Sequence, residues 1–254
     1  MAEPARSRSF LVNGALALAF AALGALGGWL WESRRTGLDP AAELGSGQRA
    51  AIEQVVQDYL MKHPEILPQA MEELQKRQNS HQLASVRGDV ERAAPGAFLG
   101  NPNGKVVLVV FSDYACTYCR KSIEDVDALI AANPDVKVVM RELPILTPES
   151  ADAAKMALAA AEQGKYAEFH KAMFASGRPN AETIAAAAQA AGLDMARARA
   201  VIARPETEAE LVRNLDLAKA LGFTGTPSWV VGDALLTGAV GQEALTNAVA
   251  AARS

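Results

Sequence analysis

The 254-residue chain is poor in the side chains that staple or chelate: it has two cysteines and three histidines. A small secreted scaffold held by disulfides would carry more cysteines, spread along its length. Here both lie together, at Cys116 and Cys119, so the core must hold itself by burial and the thiols are left for chemistry. A structural zinc site needs about four ligands, and His63, His81 and His170 are scattered with no second Cys-x-x-Cys beside them. An excess of positive charge is also missing. The chain has 25 Lys and Arg against 29 Asp and Glu, a net charge of −4. Nucleic acid is therefore excluded as a partner, because phosphate binding needs a concentrated positive surface. There is no internal repeat and no low-complexity tract beyond an alanine bias. Half of the residues are hydrophobic, enough for one sizeable domain with appendages.

One long apolar run stands at the start. Arg6 and Arg8 precede an uncharged stretch from Phe10 to Trp31, followed by Glu32, Arg34 and Arg35. About 22 residues make a helix of roughly 33 Å, which matches a bilayer core of about 30 Å. The run exceeds the usual length of a signal-peptide apolar region, and Trp29 and Trp31 suit an interface at its far end. Residues 1–35 are thus read as an uncleaved membrane anchor in preference to a cleaved signal peptide. Either places the remainder outside the cytoplasm, in the periplasm, tethered by residues 10–31 or released.

Residues 36–48 read as a linker. Residues 49–92 form an N-terminal helical segment. Ile52, Val55, Val56, Tyr59 and Leu60 recur at helical spacing, and Pro64 suits the first turn of a second helix carrying Ile66, Leu67, Ala70, Met71 and Leu74. Neither helix buries its stripe alone, so the stripe packs on the main domain or on a second copy of the chain. Gly96 to Gly104 reads as a loop. Lys105 to Phe111 and Val136 to Met140 are β-branched runs of the kind buried on both faces of a sheet. The amphipathic stretch between them gives strand, helix, strand, and hence a parallel crossover. Residues 150–221 are alanine-rich and helix-periodic, broken near Gly177, Gly192 and Pro205, which predicts three or four helices. Ser228 to Val231 and Ala234 to Thr237 flank Gly232-Asp233, a hairpin signal, and a last helix runs from about Gln242 to Ala252.

Cys116-Thr117-Tyr118-Cys119 falls between a buried strand and a helix start. There, unpaired backbone N–H groups and the helix dipole favour an anion on the first sulfur, and the thiolate is the reactive species. Arg120 and Lys121 add positive charge nearby. The spacing brings the two sulfurs within disulfide reach. A purely structural disulfide would close a tiny loop and stabilise little. A Cu(I) site built from the two soft thiolates is chemically reasonable, so copper binding stands as the alternative function. Gly225-Thr226-Pro227, just before the hairpin, offers an X-Pro bond of the only type commonly found cis.

From residue 48 onward these motifs, in this order, resemble the DsbA-like branch of the thioredoxin superfamily, and within it the ScsC-type proteins. The segment from Ile52 to Arg77 is similar to the ScsC-type N-terminal helices. Gly100-Asn101-Pro102 through Cys119 resembles the active-site strand and motif. Glu142-Leu143-Pro144-Ile145-Leu146 with Glu149-Ser150 resembles the start of a helical insertion, and Gly222 to Pro227 the cis-proline loop. The resemblance implies an α/β thioredoxin fold over residues 96–254 with an all-helical insertion at about 146–220. It implies an extracytoplasmic thiol–disulfide oxidoreductase, an oxidase or an isomerase or reductase with the direction left open, with Cys116 as the exposed nucleophile and Cys119 as the resolving thiol. Thr226 and cis Pro227 would face them as the substrate-binding edge, with Thr117 and Tyr118 as the tuning dipeptide. No cofactor and no catalytic metal is expected. The implied partners are thiol or disulfide client proteins, a membrane redox partner (a quinone-linked oxidant or an electron donor) and, through residues 49–92, further copies of the chain. Two departures stand out. Thr117 replaces a frequent proline, and Val110 replaces a frequent buried acid, which leaves proton transfer to Cys119 to water or another group.

Overall fold

The computed structural model of the protein describes residues 45–253 apart from Ala93. The expected membrane segment and most of the linker lie outside the described residues. Among the described residues no helix is long and apolar enough to cross a membrane. The chain divides into two compact units between Ala70 and Met71.

The first unit holds helix α1 (Ser46–Lys62) and the start of helix α2 (Ile66–Ala84). Helix α1 begins inside the stretch read as linker, because Gln48 Oε1 accepts the N–H of Gly45 at 3.1 Å and so satisfies a donor at the first turn. The apolar stripe is there and stays at the surface: Ile52, Val55, Val56 and Tyr59 are exposed, as are Leu67, Met71 and Leu74 of α2.

The second unit is built on a five-stranded sheet in the order β1-β3-β2-β4-β5, with β1 (Phe98–Gly100), β2 (Val106–Ser112), β3 (Val136–Glu142), β4 (Ser228–Val231) and β5 (Ala234–Thr237). Strands β2 and β3 are parallel, and the other three pairings are antiparallel. The parallel pair is enclosed on both faces, as its uninterrupted valines require. Alternate side chains feed two cores. Leu108, Val110, Val138, Met140 and Trp229 face one; Val109, Phe111, Val139 and Val230 face the other. Helices α4 (Thr117–Ala132) and α10 (Gly241–Ala251) join the first core through Leu129 and Leu245. The second is closed by Leu83 of α2, Val90 of the short helix α3 (Arg87–Val90), and Leu217 of α9 (Pro205–Ala220).

Between β3 and β4 stand five helices rather than three or four: α5 (Pro148–Glu162), α6 (Tyr166–Ala175), α7 (Ala181–Ala190), α8 (Met195–Ile202) and α9. The unforeseen break falls at Gly164, whose φ of +69° turns the chain where no Cβ interferes. Buried alanines along α5 let its neighbours approach closely, and Phe169, Met173, Ile184 and Val201 pack with them into the first core. Strand β1, read as loop, exists only through its pairing with β3, where Phe98 stands opposite Val139.

Arg141 is buried on the second face and ties this unit together. Its guanidinium donates to Glu210 Oε1 at 2.8 Å, Asn214 Oδ1 at 2.9 Å and the carbonyl oxygens of Asp89 and Arg92, and its Nε to that of Val90 at 3.2 Å. Its charge is thus paired and its donors are satisfied, without which burial would cost several kcal/mol.

Candidate active site

Strand register brings the two sequence motifs together. Phe111 pairs with Ser228 and Val110 with Trp229, so the residue before β4, Pro227, arrives beside the end of β2, from which the cysteine motif departs. The Thr226–Pro227 peptide is cis. The loop is tied down from three sides. Ser228 Oγ donates to Gly225 O at 2.7 Å, Gly238 N to Pro227 O at 2.8 Å, and Trp229 Nε1 to Gly238 O at 2.9 Å.

After β2 the chain turns about Asp113. This buried carboxylate accepts the N–H of Ala115 at 2.8 Å, an Asx turn, and those of Ile145 and Leu146 at 2.8 and 2.9 Å. The cysteine motif and the start of the insertion are thereby clamped to one side chain. Cys116 is the N-cap of α4. Its Sγ accepts the N–H of Cys119 at 3.3 Å and lies 3.2 Å from the carbonyl oxygen of Thr226. Both cysteines are free thiols in this structure.

The two sulfurs sit in opposed electrostatic settings. The Cys116 pKa falls from 9.0 to about 5. The hydrogen bond from the Cys119 thiol is the largest cause, and desolvation opposes it. The Thr226 hydroxyl and the backbone N–H groups of Cys119 and Tyr118 add to the lowering. Cys119 is pushed far up, first by desolvation and then by its thiol being the donor to Cys116. One sulfur is an anion near neutral pH and the other holds its proton. The Thr226 hydroxyl oxygen is buried and makes no hydrogen bond of ordinary geometry, which leaves it to favour the neighbouring thiolate.

Two expectations need correcting. Cys116 is not openly exposed: it keeps 5% of its surface accessible, because the first turn of α4 and the Thr226 carbonyl cover it. Thr117 and Tyr118 are exposed instead. Nor are Arg120 and Lys121 among the groups that lower the Cys116 pKa. The Arg120 guanidinium donates to Gly177 O at 2.6 Å, and Lys121 Nζ lies 5.8 Å from the centre of the Tyr118 ring.

Behind Cys119 lies a cavity of about 160 Å³, lined also by Pro227, Trp229, Met140, Ser122 and His170. His170 belongs to a buried polar cluster that the sequence did not reveal. Its Nδ1 is 3.2 Å from the Tyr114 hydroxyl, which lies 3.4 Å from Glu142 Oε1, and the Tyr166 hydroxyl donates to the same oxygen at 2.5 Å. The available signals were a charged residue ending an apolar strand and a Tyr–His pair four apart on one helix face. Among the described residues no cluster of three or more His, Cys, Asp or Glu could hold a metal ion.

Comparison with known proteins places the chain. Residues 107–250 match the DSBA-like thioredoxin domain and residues 48–79 the copper resistance protein ScsC N-terminal domain. A thioredoxin-like oxidoreductase from Silicibacter pomeroyi is 43% identical, covering 66% of this chain and 97% of its own, with a TM-score of 0.63. A linker-deletion variant of Proteus mirabilis ScsC is 27% identical over 83% of this chain and 97% of its own, TM-score 0.63. The thiol–disulfide exchange protein alpha-DsbA2 from Wolbachia pipientis is 28% identical over 69% and 96%, TM-score 0.65. Among curated proteins, the Na(+)/H(+) antiporter NhaA 3 of Salinispora tropica is 30% identical over 158 residues. The match spans 60% of this chain and 24% of the antiporter's length. With a family match over more than half its length and a thiolate-bearing helix N-terminus facing a cis-proline turn, the chain belongs to the DSBA-like thioredoxin domain family of thiol–disulfide oxidoreductases.

Proposed function

We propose that this protein exchanges disulfides with client proteins through Cys116 and Cys119, and that it runs in the oxidant direction. The observation that carries the reading is the Cys116 sulfur at the start of α4, accepting the Cys119 N–H at 3.3 Å beside the cis Thr226–Pro227 turn, with a buried partner thiol one turn later. A strongly stabilised Cys116 thiolate favours the reduced form, and a site whose reduced form is favoured is a strong oxidant.

In this mechanism a client thiolate attacks Cys116 Sγ of the disulfide form. The Cys116–Cys119 bond breaks, its electron pair goes to the Cys119 sulfur, and that sulfur takes a proton. A second client thiolate attacks the client sulfur of the mixed disulfide and releases the Cys116 thiolate. The client is oxidised and the protein gains two electrons. Low exposure of Cys116 means that a client must displace part of the Thr224–Thr226 loop. The backbone at Thr226 beside cis Pro227 then pairs with the extended client segment, which gives binding without side-chain selectivity.

The working place is the periplasm, with residues 10–31 as tether. The structure of a periplasmic thioredoxin-like protein from Salmonella enterica serovar Typhimurium, 26% identical with a TM-score of 0.58, supports that location. A membrane quinone-linked protein recharges the site. Further copies of the chain associate through residues 49–92, whose exposed Ile52, Val55, Val56 and Tyr59 support a self-complementary apolar face. The test has two arms. Alkylation of the native protein in its host should find it mostly as the disulfide; a mostly dithiol population would reverse the direction. Cys116→Ser should abolish exchange with the fold intact, and normal turnover by that variant would overturn the assignment.

A further inference from the structure

The exchange reaction, as proposed above, needs a proton at Cys119 each time the disulfide opens. Val110 of β2, which lines the same cavity as Cys119, has none to give. A buried polar cluster borders the same cavity. Cys119 and His170 line its wall together. At about 160 Å³ it far exceeds the roughly 10–15 Å³ needed to hold one water, and Ser112, Ser122 and His170 give water polar partners. From His170 the path continues inward through the Tyr114 hydroxyl at 3.2 Å. That hydroxyl meets Glu142 Oε1 at 3.4 Å and the Tyr166 hydroxyl, itself 2.5 Å from the same carboxyl oxygen. All four side chains are buried.

We propose that Glu142 is the proton reservoir for Cys119, connected to it by Tyr114, Tyr166, His170 and water in the shared cavity. Client attack leaves Cys119 as a thiolate. His170 gives that sulfur its Nε2 proton by way of water, takes the Tyr114 hydroxyl proton at Nδ1, and the Glu142 carboxyl proton restores Tyr114. Glu142 ends as a carboxylate accepting from two tyrosines, His170 ends as the other neutral tautomer, and Cys119 ends as a thiol. When Cys119 attacks a mixed disulfide the same steps run backwards.

The electrostatics fit each role. Burial pushes the Glu142 pKa up to about 8, so it carries its proton at pH 7. Desolvation brings His170 down to about 4, which keeps it neutral and able to accept on one nitrogen while donating from the other. Both tyrosines are raised well above 10 by burial and so stay protonated. The charged and titratable groups facing the cluster are these four, Asp113 at the head of the cysteine motif, and Asp127 and Lys171 at the cavity. From α9, Asn214 reaches the Glu142 carbonyl rather than its carboxyl. Arg141 points to the opposite face.

The test measures opening of the Cys116–Cys119 disulfide by reduced glutathione, expressed per glutathione thiolate, from pH 5 to 10. Wild type should slow as pH rises through about 8. Glu142→Gln keeps a group of the same shape that holds no labile proton. It should be slower by at least about tenfold at pH 6–7, lose the inflection, and meet wild type at high pH. His170→Phe should behave likewise, and Glu142→Asp should restore part of the rate with a shifted inflection. Ultraviolet titration of Cys116 in the reduced form should be unchanged in the folded variants, which separates a lost proton source from a lost nucleophile. Wild-type profiles in both Glu142→Gln and His170→Phe would overturn the relay while leaving the exchange reaction standing. Failure of wild type itself to open would instead remove the exchange reaction.

Discussion

The thiolate at Cys116 can be titrated directly. Reduced protein is scanned for ultraviolet thiolate absorbance as pH is raised. With a pKa of about 5, the thiolate outnumbers the thiol by about 100 to 1 at pH 7, whereas at 9.0 the ratio is the inverse. At pH 6 about nine in ten molecules carry the anion. The amplitude should correspond to one thiolate per chain, because desolvation keeps Cys119 protonated through the same range. Linkage adds a second readout. The folded pKa lies below the unfolded value, so the unfolded chain binds more protons between pH 5 and 9. The stabilisation is complete above pH 9 and is lost as pH falls through 5. The reduced form should therefore lose stability relative to the disulfide form as pH drops across that window. Thr226→Val, which removes a hydroxyl favouring the anion, should move the midpoint upward. A midpoint near 9, or two thiolates appearing together, would refute the asymmetry between the sulfurs.

Three substitutions probe the scaffold. Glu210→Ala leaves the Arg141 guanidinium buried without its carboxylate and should cost about 3 kcal/mol in denaturant unfolding; a loss under about 1 kcal/mol would mean that the carbonyl and Asn214 contacts suffice. Gly96→Ala sets a Cβ 2.1 Å from the Ala161 carbonyl oxygen at a φ of +82°, so it should destabilise by more than about 1 kcal/mol, read as a lowered Tm. Phe169→Ala empties a fully buried site beside Tyr114 and should cost about 3–5 kcal/mol; stability within about 1 kcal/mol of wild type would mean the insertion does not share the first core.

Much of the fold was legible because its strands are buried on both faces. Runs such as Val106–Phe111 and Val136–Met140 have no alternative home, and Gly232-Asp233 marks the last hairpin to the residue. Strand β1 was not legible: three residues become a strand only when β3 offers Val139 to Phe98. The helix break at Gly164 was hidden by alanines that favour helix on both sides. At the site, the strand-to-helix context placed Cys116 at a helix N-terminus, and the family resemblance implied the cis bond before Pro227. The depth of Cys116 was not visible, since it depends on a loop more than a hundred residues downstream. Glu142, Tyr114, Tyr166 and His170 meet only through tertiary packing. Arg120 donates to the Gly177 carbonyl of the insertion, a partner that the local sequence does not show.

The Cys116 sulfur is the one that forms mixed disulfides, and Cys119 is the thiol that closes the internal disulfide when the site is recharged. The most direct measurement of this division is peptide mapping of Cys119→Ala after incubation with oxidised glutathione at pH 6. A stable glutathione adduct on Cys116 is expected, together with none in wild type, where the neighbouring thiol expels it. An unmodified Cys116 in the variant, or an adduct that persists in wild type, would rule out this division of roles between the two sulfurs.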